Sequence, residues 1–488
     1  MKGVYTDVKI ARSPSLPAGM HLSPSLLSLL LLPLATAAPA GDEVTSLPNA
    51  PPLLTKHYSG YLPASSTKNL HYYFVESESN PSTDPVLIWM NGGPGCSSLD
   101  GFLYEHGPFR VSMDSNNEPI LTRFENTWSQ NANTLYIEAP VGVGFSYSTA
   151  PDPATDYQCT DDTAAADNLA AVKSFFDKFP EFGTNDLLIT GESYAGIYVP
   201  TLAEAILQDD TYTGAPLKGI AVGNGCSGTE VGICSWGDQG SALSAKYLTS
   251  SGFLPQDLKM SINENCDYDS WMAGAGVSDE CFADIETLNT FTKSLDTYCV
   301  YCDCPATSSR AHSKIHGVNH LLQEKMNVES RKAPSVETHA CINTYEASAY
   351  LNLPAVQKAL HVEAAMNSNW EVCGSATGWD YTSTRPNLPR DTYPLLVDNI
   401  NVLIYNGDFD ACVPYTDGEF WTAGMNYTAS PWHVWSIESG DVGGYATKYD
   451  VEGKFQFITV KGGRHEVPET EPVRASEMIS KFIKGEDF

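Results

Sequence analysis

Residues 187–200 read LLITGESYAGIYVP, and this stretch decides the fold. Residues 187–190 are a short apolar run, the length of a buried strand. Gly191, Glu192, Ser193, Tyr194, Ala195 and Gly196 follow, and from Ile197 the spacing turns helical. We read strand, a G-x-S-x-G type of turn and helix, the context of a nucleophile elbow. A serine on so sharp a turn leaves no room for large side chains close on either side. The turn lifts the Ser193 hydroxyl above the sheet and aims the first helical N–H groups where an oxyanion would form. The bland alternative is a glycine-rich turn carrying a surface serine.

Size and composition bound the rest. The chain has 488 residues, enough for two or three average domains, although α/β enzymes often run long as one elaborated domain. Hydrophobic residues make up 42% and aromatics 11%, ample for a large core. A net charge of −31 argues against nucleic acid as a partner, because phosphate binding needs basic surface. Five of the twelve cysteines fall between Cys266 and Cys304, which suits a disulfide framework or a metal cluster. Cys302-Asp303-Cys304 lacks Cys-x-x-Cys spacing, and no histidine is placed to complete a site. Disulfides and no metal are therefore expected, given secretion. Cys226 and Cys234 are expected to pair because they are close in sequence.

The N-terminus supports secretion. Residues 26–34 (LLSLLLLPL) are a short apolar run, and Ala35-Thr36-Ala37-Ala38 supplies small residues for signal-peptidase cleavage. The run is too short for a bilayer span, which takes about 20 residues. Residues 1–38 are thus expected to be a signal peptide, with Met20 as an alternative start. No later stretch reads as a membrane anchor. Asn426-Tyr427-Thr428 is an N-glycosylation sequon, which has meaning only in the secretory pathway. The expected destination is a lysosome, a vacuole or the exterior.

Residues 57–74 alternate apolar and aromatic side chains and read as antiparallel strands. Residues 86–90 (VLIWM) are a buried strand leading into Asn91-Gly92-Gly93-Pro94-Gly95-Cys96-Ser97-Ser98. Residues 134–139, 218–223, 401–405 and 455–460 read as strands, and 163–179, 197–208 and 349–360 as helices. That alternation implies an α/β fold, a mostly parallel central sheet flanked by helices. Residues 39–225 and 346–488 would be its two parts. Between them, residues 226–345 carry clustered cysteines and weak periodicity and read as a cap insertion. Within the cap, 305–337 is an exposed stretch with Arg310, Lys314, Lys325, Arg331 and Lys332, where a processing protease is expected to cut.

A nucleophilic serine needs a base, and the base needs an orienting carboxylate. Asp408 and Asp410 lie just past one strand, and His465 lies just past the last. Ser, then Asp, then His is the chain order of an α/β-hydrolase. His465 would take the serine's proton. Spacing leaves Asp408 and Asp410 both open as its partner. In that fold the glycines after residues 86–90 would supply the second oxyanion donor; a plain tight loop fits them equally well.

The stretches GESYAG, WMNGGPGCSSLDG, EAPVGVGFSYS, YNGDFDACVP and GGRHEVP resemble the serine carboxypeptidase family, from about His57 to the C-terminus. The resemblance implies an exopeptidase that releases single residues from peptide C-termini through an acyl-enzyme on Ser193, with no cofactor. It implies that Asp410 completes the triad and that the N–H groups of Gly93 and Tyr194 form the oxyanion hole. It implies that Trp89, Asn91, Gly92, Glu105 and Glu192 receive the substrate's C-terminal carboxylate. It further implies a Cys96–Cys341 disulfide and allows a homodimer. Two positions depart from the pattern. Arg464 stands where family members usually carry glycine before the histidine, and Glu466, bordering the leaving-residue pocket, follows it. Cys412 lies near the acid, either as a reactive thiol or as a buried apolar residue.

Two close carboxylates beside the substrate's own cannot all ionise cheaply. One of Glu105 and Glu192 should stay protonated and donate, so peptide binding should weaken as pH rises. Because His465 must be neutral to act as base, activity should also fall in strong acid, and an acid-shifted optimum follows. Two other readings use the same scaffold. One is an acyltransferase in which a small alcohol replaces water; the other is a protective binding partner of other lysosomal enzymes.

Overall fold

The computed structural model describes residues 39–235, 237–302, 345–362, 369–373 and 376–488. The expected signal peptide, the 305–337 cleavage loop and Cys341 lie outside them. Six parallel strands form the centre of the sheet: β1 (Val86–Met90), β2 (Asn133–Ile137), β3 (Leu187–Glu192), β4 (Leu217–Gly223), β5 (Asn401–Gly407) and β6 (Lys454–Val460). Their spatial order is β2-β1-β3-β4-β5-β6. Antiparallel strands extend both sides. His57–Pro63 and Lys68–Val75 lie beyond β2, and Val442–Tyr449 and His433–Ser436 beyond β6.

The apolar runs follow from this arrangement. A parallel sheet is covered on both faces, so its strands need apolar residues at every position. β1, β2 and β3 are buried throughout. Ile88, Ile189, Ile220 and Ile404 feed the core on one face, and Leu87, Leu188, Ala221 and Leu403 the core on the other. Helix α1 (Asp161–Lys178) starts on Thr160, whose side chain accepts from Thr163 N in a capping box, and stops before Pro180. Helix α2 (Ala195–Gln208) follows β3 directly. The single helix expected over residues 349–360 is instead two, Tyr345–Leu351 and Pro354–Ala359. Pro354 forces Leu353 into extended backbone and ends the first.

Between β4 and β5 lie helices that pack around their own small core, with Leu248, Leu258, Ile262, Trp271, Ile285 and Leu288. Cys266–Cys281 staples it. Its tail runs back across the sheet edge. Thr297 O accepts from Ala411 N (2.8 Å) and Cys412 N (3.0 Å), and Tyr298 O accepts from His465 N (3.0 Å). The strap thus ties together the two loops that follow β5 and β6.

Cys226 bonds to Cys234, and Cys96 bonds to Cys373 rather than to Cys341. The reason is local docking. Ser97 N donates to Val372 O (2.7 Å), which brings the 370–373 segment against the loop after β1, and the Cys96 and Cys373 Cα atoms stand 4.0 Å apart. Peptide mapping of the unreduced protein should recover Cys96 linked to Cys373. Recovery of a Cys96–Cys341 peptide would overturn that assignment.

Candidate active site

In open α/β sheets, sites form where the strands end at their C-terminal edge. Asn91, Ser193, Asn224 and Asp408 leave the sheet on that edge, just past β1, β3, β4 and β5. Ser193 has φ +60°, a left-handed conformation that costs a non-glycine residue energy and persists only where surroundings impose it. Three hydrogen bonds impose it. Ser193 N donates to Gly223 O (3.0 Å), and Ser193 O accepts from Gly196 N (2.9 Å) and Cys226 N (3.0 Å). In strict register the position two past the serine is Ala195, so the turn departs from G-x-S-x-G by one residue. Gly196 is where room is absent: a Cβ there would run into the backbone of Cys226. A Cβ on Gly191 would run into Met90 O.

Asp410, and not Asp408, faces the histidine. His465 Nδ1 lies 2.7 Å from Asp410 Oδ2. Asp410 is buried and its carboxylate is fixed by further donors: Cys412 N to Oδ1 (2.7 Å), and Asn224 Nδ2 (2.8 Å) and Val413 N (3.2 Å) to Oδ2. Asp408 instead accepts from Gly462 N (2.7 Å) and braces the two loops. With Nδ1–H toward Asp410, Nε2 is the nitrogen left to act as base. Nε2 is buried and makes no hydrogen bond within the protein; the bond to Ser193 is not closed here. Catalytic bonds of this kind are commonly long before substrate arrives. The Tyr298 ring packs edge-on against His465, with centroids 4.4 Å apart. Burial, then the charge of Asp410, pushes the Cys412 thiol far up, so it is not a reactive thiolate.

The loop after β1 lies directly against the elbow. A Cβ on Gly92 would stand 2.8 Å from Ser193 Cβ and would run into Tyr194 N, and Gly93 has φ +110°. The two expected oxyanion donors, Gly93 and Tyr194, therefore sit on facing turns. Next to them Asn91 is oriented by two donors to its Oδ1, Trp89 Nε1 (2.7 Å) and Gly101 N (3.1 Å). That fixes Nδ2 toward the acids: it gives one hydrogen to Glu105 Oε1 (3.0 Å) and the other to Glu192 Oε1 (3.0 Å). Both glutamates are buried. Burial, then the charge of Glu466, pushes Glu105 up to about 8. Burial, then Glu105, Glu466 and Asp100, pushes Glu192 well above the usual carboxylate range. Asp100 rises for the same reasons, with Arg464 opposing.

Sequence reasoning missed Asn224 and Asp100. Asn224 directly follows β4, and a polar residue directly after a buried strand was the available signal. Asp100 had no signal of its own. All five residues expected around a substrate carboxylate are brought together, as are His465 and Asp410. Cys341 is the expected participant for which the structure supplies another residue.

A left-handed serine on a strand–helix turn, and a histidine–aspartate pair on loops at the same edge of a mostly parallel sheet, are the marks of an α/β-hydrolase. The serine carboxypeptidase family pattern matches residues 48–485, and the chain belongs to that family. It is 36% identical to the lysosomal protective protein of Mus musculus over 96% of this chain and 100% of that one. It is 34% identical to serine carboxypeptidase-like 21 of Arabidopsis thaliana, over 95% and 98% of the two chains. In fold it is similar to the prohormone-processing carboxypeptidase Kex1 of Saccharomyces cerevisiae, with a TM-score of 0.65 at 19% identity, covering 92% of this chain and 97% of that one.

Proposed function

We propose that the protein removes single residues from peptide C-termini in an acidic lumen, through an acyl-enzyme on Ser193. The observation that carries this reading is the buried Glu105–Asn91–Glu192 group immediately beside the nucleophile. Ester or amide hydrolysis needs the triad alone. A pair of buried carboxyl groups with raised proton affinity, one residue from the serine, is useful where the substrate itself ends in a carboxylate. A protonated glutamate and the Gly92 N–H donate to it, and one Asn91 N–H turns to it from a glutamate.

His465 Nε2 takes the Ser193 proton as Oγ attacks the scissile carbonyl carbon. The oxyanion lies between the N–H groups of Gly93 and Tyr194. Imidazolium returns the proton to the leaving amine, the C–N bond breaks, and an amino acid departs. Water then attacks the ester, giving its proton to His465, and Ser193 Oγ leaves with it. Asp410 holds the tautomer and stabilises the imidazolium. The disulfides and an exposed Asn426 in its sequon support passage through the secretory pathway.

The test compares a blocked dipeptide with its C-terminal amide across about pH 5 to 9.5 in wild type and Glu192→Gln. The glutamate pair donates only while protonated, so binding is strongest in acid and fades as pH climbs through its titration. KM for the dipeptide should stay low in acid, begin to rise as pH nears about 8, to which burial lifts Glu105, and climb about tenfold for each unit beyond, since one pKa unit is one power of ten. Glu192→Gln, a donor without a proton to lose, should flatten the rise, and the amide should show neither effect. Equal handling of acid and amide with a flat KM would refute the reading. A wild type inert on peptides yet acylated on Ser193 by activated esters would favour an acyltransferase.

A further inference from the structure

Arg464 is a buried cation, 6% exposed, in the segment that carries the catalytic histidine. Its Nη2 donates to Glu466 Oε2 at 2.6 Å and also contacts Glu469 Oε2. Glu466 is itself 4% exposed. We infer that Arg464 masks Glu466 and so sets the charge preference for the leaving residue: with the pair intact, neutral C-terminal residues are favoured over Lys and Arg, and without Arg464 the preference shifts toward the basic residues. The inference rests on the carboxypeptidase reading above.

Glu466 is well placed for this. It follows His465, which protonates the leaving amine. Its charge acts on Glu105 and Glu192, which face the leaving carboxylate. Amine and carboxylate share one Cα, so the side chain of the leaving residue branches between those two anchors, beside Glu466. Four buried carboxyl groups meet here: Asp100, Glu105, Glu192 and Glu466. Arg110 acts on Glu105, with its guanidinium on Glu105 O and over the Phe124 ring. Arg464 acts on Asp100 and contacts Glu466.

An incoming ammonium or guanidinium therefore meets a carboxylate whose charge the Arg464 guanidinium already offsets. Removing Arg464 leaves Glu466 a buried carboxylate among carboxyl groups, and a basic leaving residue then supplies the missing partner. Arg464 is a positioning residue in this scheme; it touches Glu466 and not the scissile bond.

The experiment uses the purified full chain and blocked dipeptides that share an acyl residue and end in Leu, Arg or Glu. Wild type should favour Leu over Arg by about tenfold or more in kcat/KM. Arg464→Met should move the Arg-to-Leu ratio at least about tenfold toward Arg. Arg464→Lys should keep the wild-type preference, and Arg464→Met/Glu466→Gln should lose the gain. A ratio that stays within about twofold of wild type in Arg464→Met overturns the inference. Should Arg464→Met fail to fold, Glu466→Gln/Glu469→Gln decides: with neither carboxylate left on it, Arg464 should raise the Glu-to-Leu ratio about tenfold, and an unmoved ratio overturns the inference. A wild type that releases none of the three residues refutes the carboxypeptidase reading; a wild type that releases them with ratios indifferent to Arg464 refutes only the masking.

Discussion

Asp410→Asn should lower kcat for peptide release by about 10⁴-fold with little change in KM, and Ser193→Ala by at least as much. Asp408→Asn should stay within about tenfold of wild type. The difference comes from what each carboxylate touches. Asp410 Oδ2 faces His465 Nδ1 at 2.7 Å. In Asp410→Asn, either the amide N–H₂ faces that nitrogen or the ring adopts the other tautomer. With an N–H₂ at Nδ1, the proton moves to Nε2, and His465 can no longer take one from Ser193. The imidazolium of the transition state also loses its counter-charge. Asp408 Oδ1 accepts from Gly462 N (2.7 Å) and Asp408 O accepts from Tyr247 O–H (3.0 Å). An asparagine at 408 keeps an acceptor for Gly462. Steady-state kinetics of the three variants on one blocked dipeptide check this. Equal losses for Asp408→Asn and Asp410→Asn would mean that the loop, and not the facing carboxylate, sets the rate.

The choice between those two acids shows how far sequence carries the site. The order Ser193, Asp408 or Asp410, His465 was legible because each residue follows an apolar run, and buried parallel strands announce themselves by composition. Asp408 and Asp410 lie two residues apart past the same strand, and only the path of the loop separates them. That path is set by Thr297 O, which holds Ala411 N and Cys412 N. Thr297 lies more than a hundred residues upstream, in the weakly periodic insertion. Cys96–Cys373 was illegible for the same reason: 277 residues separate the two, and docking of Val372 on Ser97 decides the pairing. Glu105 and Glu192 could be paired only by resemblance. Their partnership depends on Gly101, because a Cβ there would run into the Trp89 indole that orients Asn91. Local signals identify strands and the residues at their ends. Contacts across the sheet edge, which select among those residues, leave no local mark.

Glu138→Ala should destabilise the fold, although Glu138 touches no reacting group. It directly follows the second parallel strand, and its side chain is wholly buried. Oε1 accepts from Ser97 Oγ and from Trp370 Nε1 (2.7 Å); Oε2 accepts from Phe145 N (2.9 Å) and lies 2.9 Å from His71 Nδ1. His71 Nε2 in turn lies 3.0 Å from Ser59 Oγ, whose proton goes to Leu360 O (2.9 Å). One carboxylate thus gathers donors from the loop after β1, the loop after β2, the antiparallel strand beside β2 and the segment carrying Cys373. Alanine leaves them without an acceptor where water does not reach, at about 1–3 kcal/mol for each orphan. Breaking a buried charged group from its partners costs about 3–5 kcal/mol in all. Glutamine retains one oxygen, but its N–H₂ points at donors, so Glu138→Gln should recover only part of the loss. At the low end, Tm should fall by about 3 °C in a chain of this size. Thermal melts beside wild type measure it, and a Glu138→Ala variant melting within about 1 °C of wild type would show that the hub carries no stability. The consequence should reach catalysis as well. Ser97 is held by Glu138 on one side and Val372 on the other, and it closes the loop whose Gly93 faces Tyr194. Loosening Ser97 moves one oxyanion donor and leaves the triad in place, so at a temperature where Glu138→Gln is folded, kcat should fall while the pH dependence of KM stays as in wild type.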